Sequence, residues 1–268
     1  MDWYAALGHL RSARRPAVLV TLTAVRGHAP RAAGAKMVVG TDETWDSIGG
    51  GNLEQVAISR ARELITGGSV DPQTLTIPLS DKASGEFGQQ CCGGEVSILL
   101  EPVPVRPSIA IFGMGHVGLE LAHILARHPV ELHLVDSRPH AAAAFAVTDA
   151  IAQVVTHDSP VPELVLGEVP PGTHVLVLTH DHAEDAAICD AALRCEHLAS
   201  VGLIGSRAKW SRFRKALLEQ GHDEARVDGI RTPIGDPAIG GKAPAMIALS
   251  VAAELTAALW PQAERVQR

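Results

Sequence analysis

Six short segments of this chain gather residues that can do chemistry. The most specific is Ile109-Ala-Ile-Phe-Gly-Met-Gly-His-Val-Gly118, an apolar run that feeds three glycines before an amphipathic helix pattern. In a strand–turn–helix unit, Gly113 permits the tight turn, Gly115 lets a phosphate approach the backbone, and Gly118 lets helix and strand pack closely. Leu132-His-Leu-Val-Asp136 follows about one strand later, and Asp136 falls where a ribose-binding carboxylate belongs. This is a dinucleotide-binding signature. NAD is favoured over NADP, because the charge on Asp136 repels a 2′-phosphate.

Two further segments close later strands of the same pattern. Thr179-His-Asp-His182 with Asp185 places two histidines and two carboxylates within six residues, a set suited to metal binding or acid–base work. The strand order of a doubly wound sheet would put His180 across the crevice from Gly113 and Gly115. The bland alternative is helix capping by Asp181 beside solvated histidines. Gly202-Leu-Ile-Gly-Ser-Arg-Ala-Lys-Trp210 opens a basic helix that also carries Arg212, Arg214 and Lys215. Ser206 and Arg207 can hold an anionic ligand in the same crevice, or Ser206 is an N-cap on a solvated basic face.

Three segments lie before residue 100. Ser47-Ile-Gly-Gly-Gly-Asn-Leu-Glu54 leads a triple glycine into a helix start. Gly49, Gly50 and Gly51 can form a backbone nest for an anion, with Asn52 or Glu54 adding polar contacts. Gln90-Cys-Cys-Gly-Gly-Glu95 presents Cys91 and Cys92 on a glycine-flanked loop, where thiols can ligate a soft metal or accept sulfur, or simply fill a tight bulge. Arg26-Gly-His-Ala-Pro-Arg31, with Gly34 and Lys36, is a basic loop between two strands that can meet a phosphate or pterin, or be a plain solvated hairpin.

The elements that position these segments fall into two domains, 1–101 and 108–268, joined by the spacer Pro102-Val-Pro-Val-Arg-Pro107. In the first, strands are expected at 17–24, 35–39, 74–77 and 95–100, with a helix from an Asn52 cap to about Thr66, giving a small α/β domain. In the second, strands near 108–113, 130–136, 151–155, 173–179 and 199–204 alternate with helices near 115–128, 183–197 and 207–219. Weaker helices are expected near 140–147 and 160–167, and a last one over 244–259. Such alternation builds a Rossmann-like, doubly wound parallel sheet.

Bulk properties bound the function. The 268 residues suffice for two modest cores, and only 3% are aromatic, so those cores rest on Ala, Val, Leu and Ile. A net charge of −7 without a Lys/Arg run argues against nucleic acid. No apolar run reaches a membrane span, the N-terminus does not read as a signal peptide, and four cysteines form no disulfide framework. A cytoplasmic protein with reduced thiols is the expectation. Cys189 and Cys195 lie on different faces of one helix and read as packing residues.

Together these segments resemble the xanthine dehydrogenase accessory proteins of the XdhC/CoxI type over nearly the whole chain. The marks are Gly27-His-Ala-Pro-Arg31 with Gly34-Ala-Lys-Met37, Ile48-Gly-Gly-Gly-Asn-Leu-Glu54, Cys92-Gly-Gly94, Phe112-Gly-Met-Gly-His-Val-Gly118, Thr179-His-Asp-His182, Gly202-Leu-Ile-Gly-Ser-Arg207, and Thr232-Pro-Ile-Gly235 with Gly241-Lys-Ala-Pro244. The resemblance implies a molybdenum cofactor (molybdopterin) chaperone that is not itself an oxidoreductase. It would protect the cofactor, present it to a cysteine desulfurase for sulfuration, and deliver it to apo-xanthine dehydrogenase. By matched position, the resemblance implies that Cys92, with Cys91 beside it, contacts molybdenum or its sulfur and that Gly49–Gly51, Asn52 and Glu54 lie at the cofactor site. The Cys91-Cys92 doublet departs from the family's single cysteine, and Ile234-Gly-Asp-Pro-Ala-Ile-Gly-Gly-Lys242 expands its closing loop. One cleft across the linker is expected to join the glycine turn and the cysteine loop, and apolar C-terminal helices suggest a homodimer. Two competing readings stand beside this one: a nicotinamide-dependent oxidoreductase using His180, and a metal-dependent hydrolase or sensor built on His180, His182 and Asp185.

Overall fold

In a computed structural model of the protein, residues 1–79 and 94–260 are described. The chain divides into two compact units, Met1–Val105 and Arg106–Arg268.

The first unit runs α1 (Trp3–Ser12), β1 (Ala17–Arg26), β2 (Lys36–Val39), β3 (Thr44–Asp46), α2 (Gly51–Thr66), β4 (Gln73–Pro78) and β5 (Glu95–Val103). Its antiparallel sheet has the order β3-β2-β1-β5-β4. Alternation along β1 serves two helices. Val18, Val20 and Leu22 pack with Leu53, Ala57, Ala61 and Leu64 of α2, while Ala17 and Leu19 turn to the opposite face, toward Ala6 and Leu10 of α1. The four α2 positions recur at helical spacing, which is why this segment coils. Asp2 starts α1 by accepting from the Ala5 N–H at 2.8 Å.

Strand β5 continues to Val103, two residues into the segment expected to be a spacer. Pro102 pairs with Val18 of β1. The β4 strand pairs only as far as Leu100, so the other side of β5 is already a free edge where a missing N–H does no harm. Pro78 is likewise tolerated on the edge strand β4.

The second unit runs β6 (Ser108–Phe112), α3 (His116–Leu125), β7 (Glu131–Asp136), β8 (Gln153–Asp158), a 3₁₀ helix (Pro162–Gly167), β9 (His174–Val177), α4 (His182–Arg194), β10 (Ser200–Leu203), α5 (Arg207–Glu219), α6 (Glu224–Asp228) and α7 (Pro244–Leu259). The five strands are parallel in the order β10-β9-β6-β7-β8, the doubly wound order with its switch point between β6 and β9. Both faces are covered, and β6 is buried along its whole length. Ile109, Ile111, Leu132 and Leu134 meet α3 and α7 on one face; Ala110, Phe112, Val135 and Val177 meet α4, α5 and the 3₁₀ helix on the other.

The helix expected near 140–147 does not form; the stretch is a series of turns. His140 sits at φ +61°, outside helical space, and the Ala142 N–H is taken by Asp158 Oδ1 at 3.0 Å rather than by a helical carbonyl. The stretch near 160–167 is a short 3₁₀ helix over Pro162–Gly167. Among the described residues no helix is long and apolar enough to cross a membrane.

Candidate functional site

The carboxyl edge of the parallel sheet gathers three of the six chemistry-bearing segments, together with Asp136. Gly113 adopts φ +106°, and a Cβ there would lie 2.6 Å from the Leu178 carbonyl oxygen and 2.8 Å from Thr179 Cα. The glycine turn therefore packs directly on the start of the Thr179–His182 segment. A Cβ on Gly118 would lie 2.1 Å from the Gly113 carbonyl oxygen, so α3 sits against its own turn. Gly115 is different. Its backbone is ordinary (φ −79°) and open space surrounds its Cα, which leaves room for a ligand atom to come close.

Asp136 reaches the glycine turn but offers it no free carboxylate. Its Oδ2 accepts from the Met114 N–H at 2.7 Å and from Arg138 Nη2 at 2.8 Å; its Oδ1 accepts from the backbone N–H and Nε of Arg138, both at 2.9 Å. Burial works against the charged form, but the hydrogen bonds from Arg138 and the Met114 N–H outweigh it and hold the carboxyl below its usual range. The arrangement differs from the open ribose-binding carboxylate expected of the motif. The reason lies two residues on, where Arg138 folds back over its neighbour.

The Thr179–Asp185 segment is an architectural knot. Asp185 is fully buried and accepts from the Thr179 N–H at 3.2 Å and hydroxyl at 2.7 Å, and it forms an ion pair with Lys209 of α5. Lys209 also donates to the Ile204 carbonyl at 3.2 Å, and its stem lies against Gly205, where a Cβ would come within 2.8 Å of Cδ. The pair thus ties the β9 and β10 loops together. Asp181 caps α4, accepting from Ala183 N–H at 2.6 Å, which is the capping role weighed against metal chemistry. His180 is exposed, as is His182, and Asp185 is taken up by Lys209. Among the described residues no three His, Cys, Asp or Glu side chains gather as a metal site. A metal site on His180, His182 and Asp185 is therefore not formed.

Ser206 caps α5 through the Lys209 N–H at 3.2 Å, leaving Arg207 exposed on the first turn. The Thr232–Gly235 segment joins this edge: a Cβ on Gly202 would come within 2.7 Å of Ile234 Cγ2, and the Gly235 N–H donates to Glu254 of α7 at 2.6 Å. Cys189 lies in the core of the second unit and Cys195 packs against it, as expected of packing residues, and burial pushes the Cys189 thiol up to about 12 and raises that of Cys195.

In the first unit, the glycine nest already holds an anion. Glu54 Oε1 accepts from Ser47 Oγ at 2.5 Å and from the N–H groups of Ile48 at 3.1 Å, Gly49 at 3.2 Å and Gly50 at 2.9 Å. Burial alone would raise this carboxyl; the Ser47 hydroxyl and the three N–H groups more than reverse that, and it titrates below its usual range. Glu54 is thus the occupant of the nest, rather than a helper to an external anion. Asn52 lies in the first turn of α2 and the cap position is Gly50, at φ +77°; Gly51 begins the helix.

The other N-terminal loops converge on this nest. Gly49 faces Pro30, whose Cγ a Cβ would approach to 2.4 Å. Gly94 faces the Arg26–His28 backbone, with the His28 carbonyl 2.3 Å from where a Cβ would stand. The Leu79 N–H donates to the Gly94 carbonyl at 2.7 Å. Arg26, His28 and Arg31 are exposed. Cys91 and Cys92 lie outside the described residues.

Sequence reasoning missed Arg138 and Lys209 as partners. Arg138 had a readable signal, a guanidinium two residues from a strand-terminal carboxylate. Lys209 had none, because Asp185 stands 24 residues away in the chain.

A family model for the XdhC Rossmann domain matches residues 109–255, and one for the XdhC and CoxI family matches residues 10–77. Among curated proteins, the uncharacterized protein YqeB of Escherichia coli (strain K12) is 23% identical over 257 residues, which are 95% of this chain and 46% of that protein. The chain thus spans about half the length of this relative. Among solved structures, one described as a xanthine dehydrogenase from Bacillus halodurans is 19% identical, covers 100% of this chain and 98% of its own, and superposes with a TM-score of 0.47.

Proposed function

Because the chain belongs to the XdhC and CoxI family, we propose that it serves the maturation of xanthine dehydrogenase as an accessory protein rather than as an oxidoreductase. In this reading it carries the molybdenum cofactor as cargo, keeps it from decay, presents it to a cysteine desulfurase for sulfuration, and delivers it to apo-xanthine dehydrogenase. A homodimer in solution belongs to the same proposal. The observation that carries the reading is that family models match segments of both units, so the N-terminal loops are not an appendage to a dehydrogenase domain.

Physical chemistry supports it in two ways. Molybdopterin joins a phosphate to a dithiolene-bound metal, so its carrier needs cations and N–H donors for one end and a soft donor for the other. The exposed Arg26 and His28 stand beside Gly94, the residue that closes the Cys91-Cys92-Gly-Gly segment, and the exposed Arg31 lies beside Gly49. Cys92, with Cys91, is proposed as the contact to molybdenum or its sulfur. Against a dehydrogenase that uses NAD, Asp136 has no acceptor free for the ribose 2′-hydroxyl.

Cofactor retention tests the proposal. The full chain is purified anaerobically from cells that make molybdopterin, and molybdenum and oxidised-pterin fluorescence are counted per chain, beside a Cys91→Ala/Cys92→Ala variant. Near-stoichiometric pterin, lost in the variant, is the expected result. No pterin even after incubation with released cofactor would overturn it.

A further inference from the structure

A Rossmann fold ordinarily ends its second strand with a carboxylate open to the 2′-hydroxyl of a bound nucleotide. Here that carboxylate is spent. Four donors sit on the two oxygens of Asp136, which is 3% exposed, and an incoming hydroxyl would have to break a bidentate, charge-assisted pair to reach it. What faces outward instead is the guanidinium of Arg138, with its side chain 49% exposed. Nε and Nη2 point at Asp136; Nη1 makes no hydrogen bond among the described residues. Asp136 also bonds the Met114 N–H, between Gly113 and the open Gly115, so the guanidinium is coupled through one side chain to the turn that would cradle a pyrophosphate.

We propose that Arg138 makes the Rossmann crevice selective for an adenine nucleotide carrying a 2′-phosphate on its ribose, over the same nucleotide with a free 2′-hydroxyl. The planar fork can take phosphate oxygens on its Nη1 side while its Nε edge stays on Asp136. This reverses the preference for NAD that Asp136 alone would set. The opposing charge is Glu184, in the first turn of α4, which accepts from the Ser137 hydroxyl at 2.6 Å and acts on the Arg138 guanidinium electrostatically. It weakens the phosphate contact without removing the hydrogen-bond geometry. The selectivity is independent of whether the protein carries a molybdenum cofactor.

The probes are 2′,5′-ADP and 5′-ADP, titrated calorimetrically into the full chain, with NADPH and NADH as fluorescent counterparts. The 2′-phosphorylated member of each pair is expected to bind about tenfold tighter or better, the contribution of a charge-assisted fork contact. Arg138→Ala should bring the ratio close to unity, Arg138→Lys should keep part of it, and Glu184→Gln should increase it by about threefold. Arg138→Ala leaves Asp136 the Met114 and residue-138 backbone N–H groups, so the loop retains two of its bonds; a native circular-dichroism spectrum and a cooperative melt, at a lowered midpoint, verify that the variant folds. Equal affinity within each pair for the wild type, a preference that survives Arg138→Ala, or no binding of any of the four nucleotides would overturn the proposal.

Discussion

The two glycine-rich turns of this protein, one in each unit, are alike in composition and opposite in use. At Gly49–Gly51 the backbone N–H groups converge on Glu54 Oε1, and Pro30 lies on the outer surface of Gly49. At Gly113–Gly115 a carboxylate also arrives, but Asp136 takes only the Met114 N–H, and the space around Gly115 stays open. One turn is closed by the chain's own anion and stabilises the fold. The other has its inner glycines packed and its outer one free. A run of glycines therefore announces a turn, and the neighbouring carboxylate decides whether that turn can still receive a ligand.

The largest effect expected from this contrast comes from filling the packed glycines. Gly118→Ala drives a Cβ to 2.1 Å from the Gly113 carbonyl oxygen, a backbone atom that cannot step aside. A loss of about 3 kcal/mol from the second unit is expected, read as a lower urea midpoint of the transition that reports this unit. Gly49→Ala meets only the Pro30 ring, on an exposed loop, though at φ +132° it also strains the backbone; about 2 kcal/mol is expected from the first unit. If Gly118→Ala were the milder change, the close packing of α3 on its turn would be wrong.

Removing the resident anion comes next. Glu54→Ala leaves the Ser47 hydroxyl and three N–H groups without their acceptor, at a loss of about 2 kcal/mol. The same carboxylate gives a pH signature. Its folded pKa is depressed below the ordinary 4.5, so its contribution is fully present above that value and disappears as pH falls through the lower folded pKa. Glu54→Gln should flatten that acid limb of the stability profile. An acid limb unchanged by Glu54→Gln would mean that the carboxylate is not held as described.

These differences explain what was legible in the sequence. The β6–α3 turn could be read in full, because strand, glycines and helix are contiguous and each glycine answers a local demand. The alternation of strands and helices after residue 108 was legible for the same reason. Asp136 was placed correctly at a strand end, yet its partner Arg138 was not weighed, and with that pair the chemistry changes from hydroxyl acceptor to guanidinium donor. Glu54 was read as an accessory to an anion site because composition cannot tell a carboxylate that assists a nest from one that fills it. Asp185 reads as a chemical group in the sequence because its partner is remote: Lys209 arrives from another helix, and no local pattern signals a buried ion pair. Helix α1 was missed because only Ala6 and Leu10 bury fully, too sparse a stripe to register.

The smallest stability effect is the sharpest test of the comparison. Gly50 and Gly115 are both surrounded by open space, so neither is glycine for want of room within the chain. Gly50 sits at φ +77°, where any side chain strains the backbone, and Gly50→Ala should lose about 1 kcal/mol. Gly115 sits at φ −79°, which alanine adopts freely, so Gly115→Ala should change stability by only about 0.5 kcal/mol, as an exchange at a helix cap. Neither internal packing nor backbone geometry requires glycine there; what remains is close approach by something outside the chain. Gly115→Ala should therefore fold as the wild type does and lose about tenfold in affinity for a phosphate-bearing ligand of the crevice, 2′,5′-ADP being the probe at hand. Gly115→Ala binding that nucleotide as well as the wild type would mean that the open space over the turn is not where the phosphates lie.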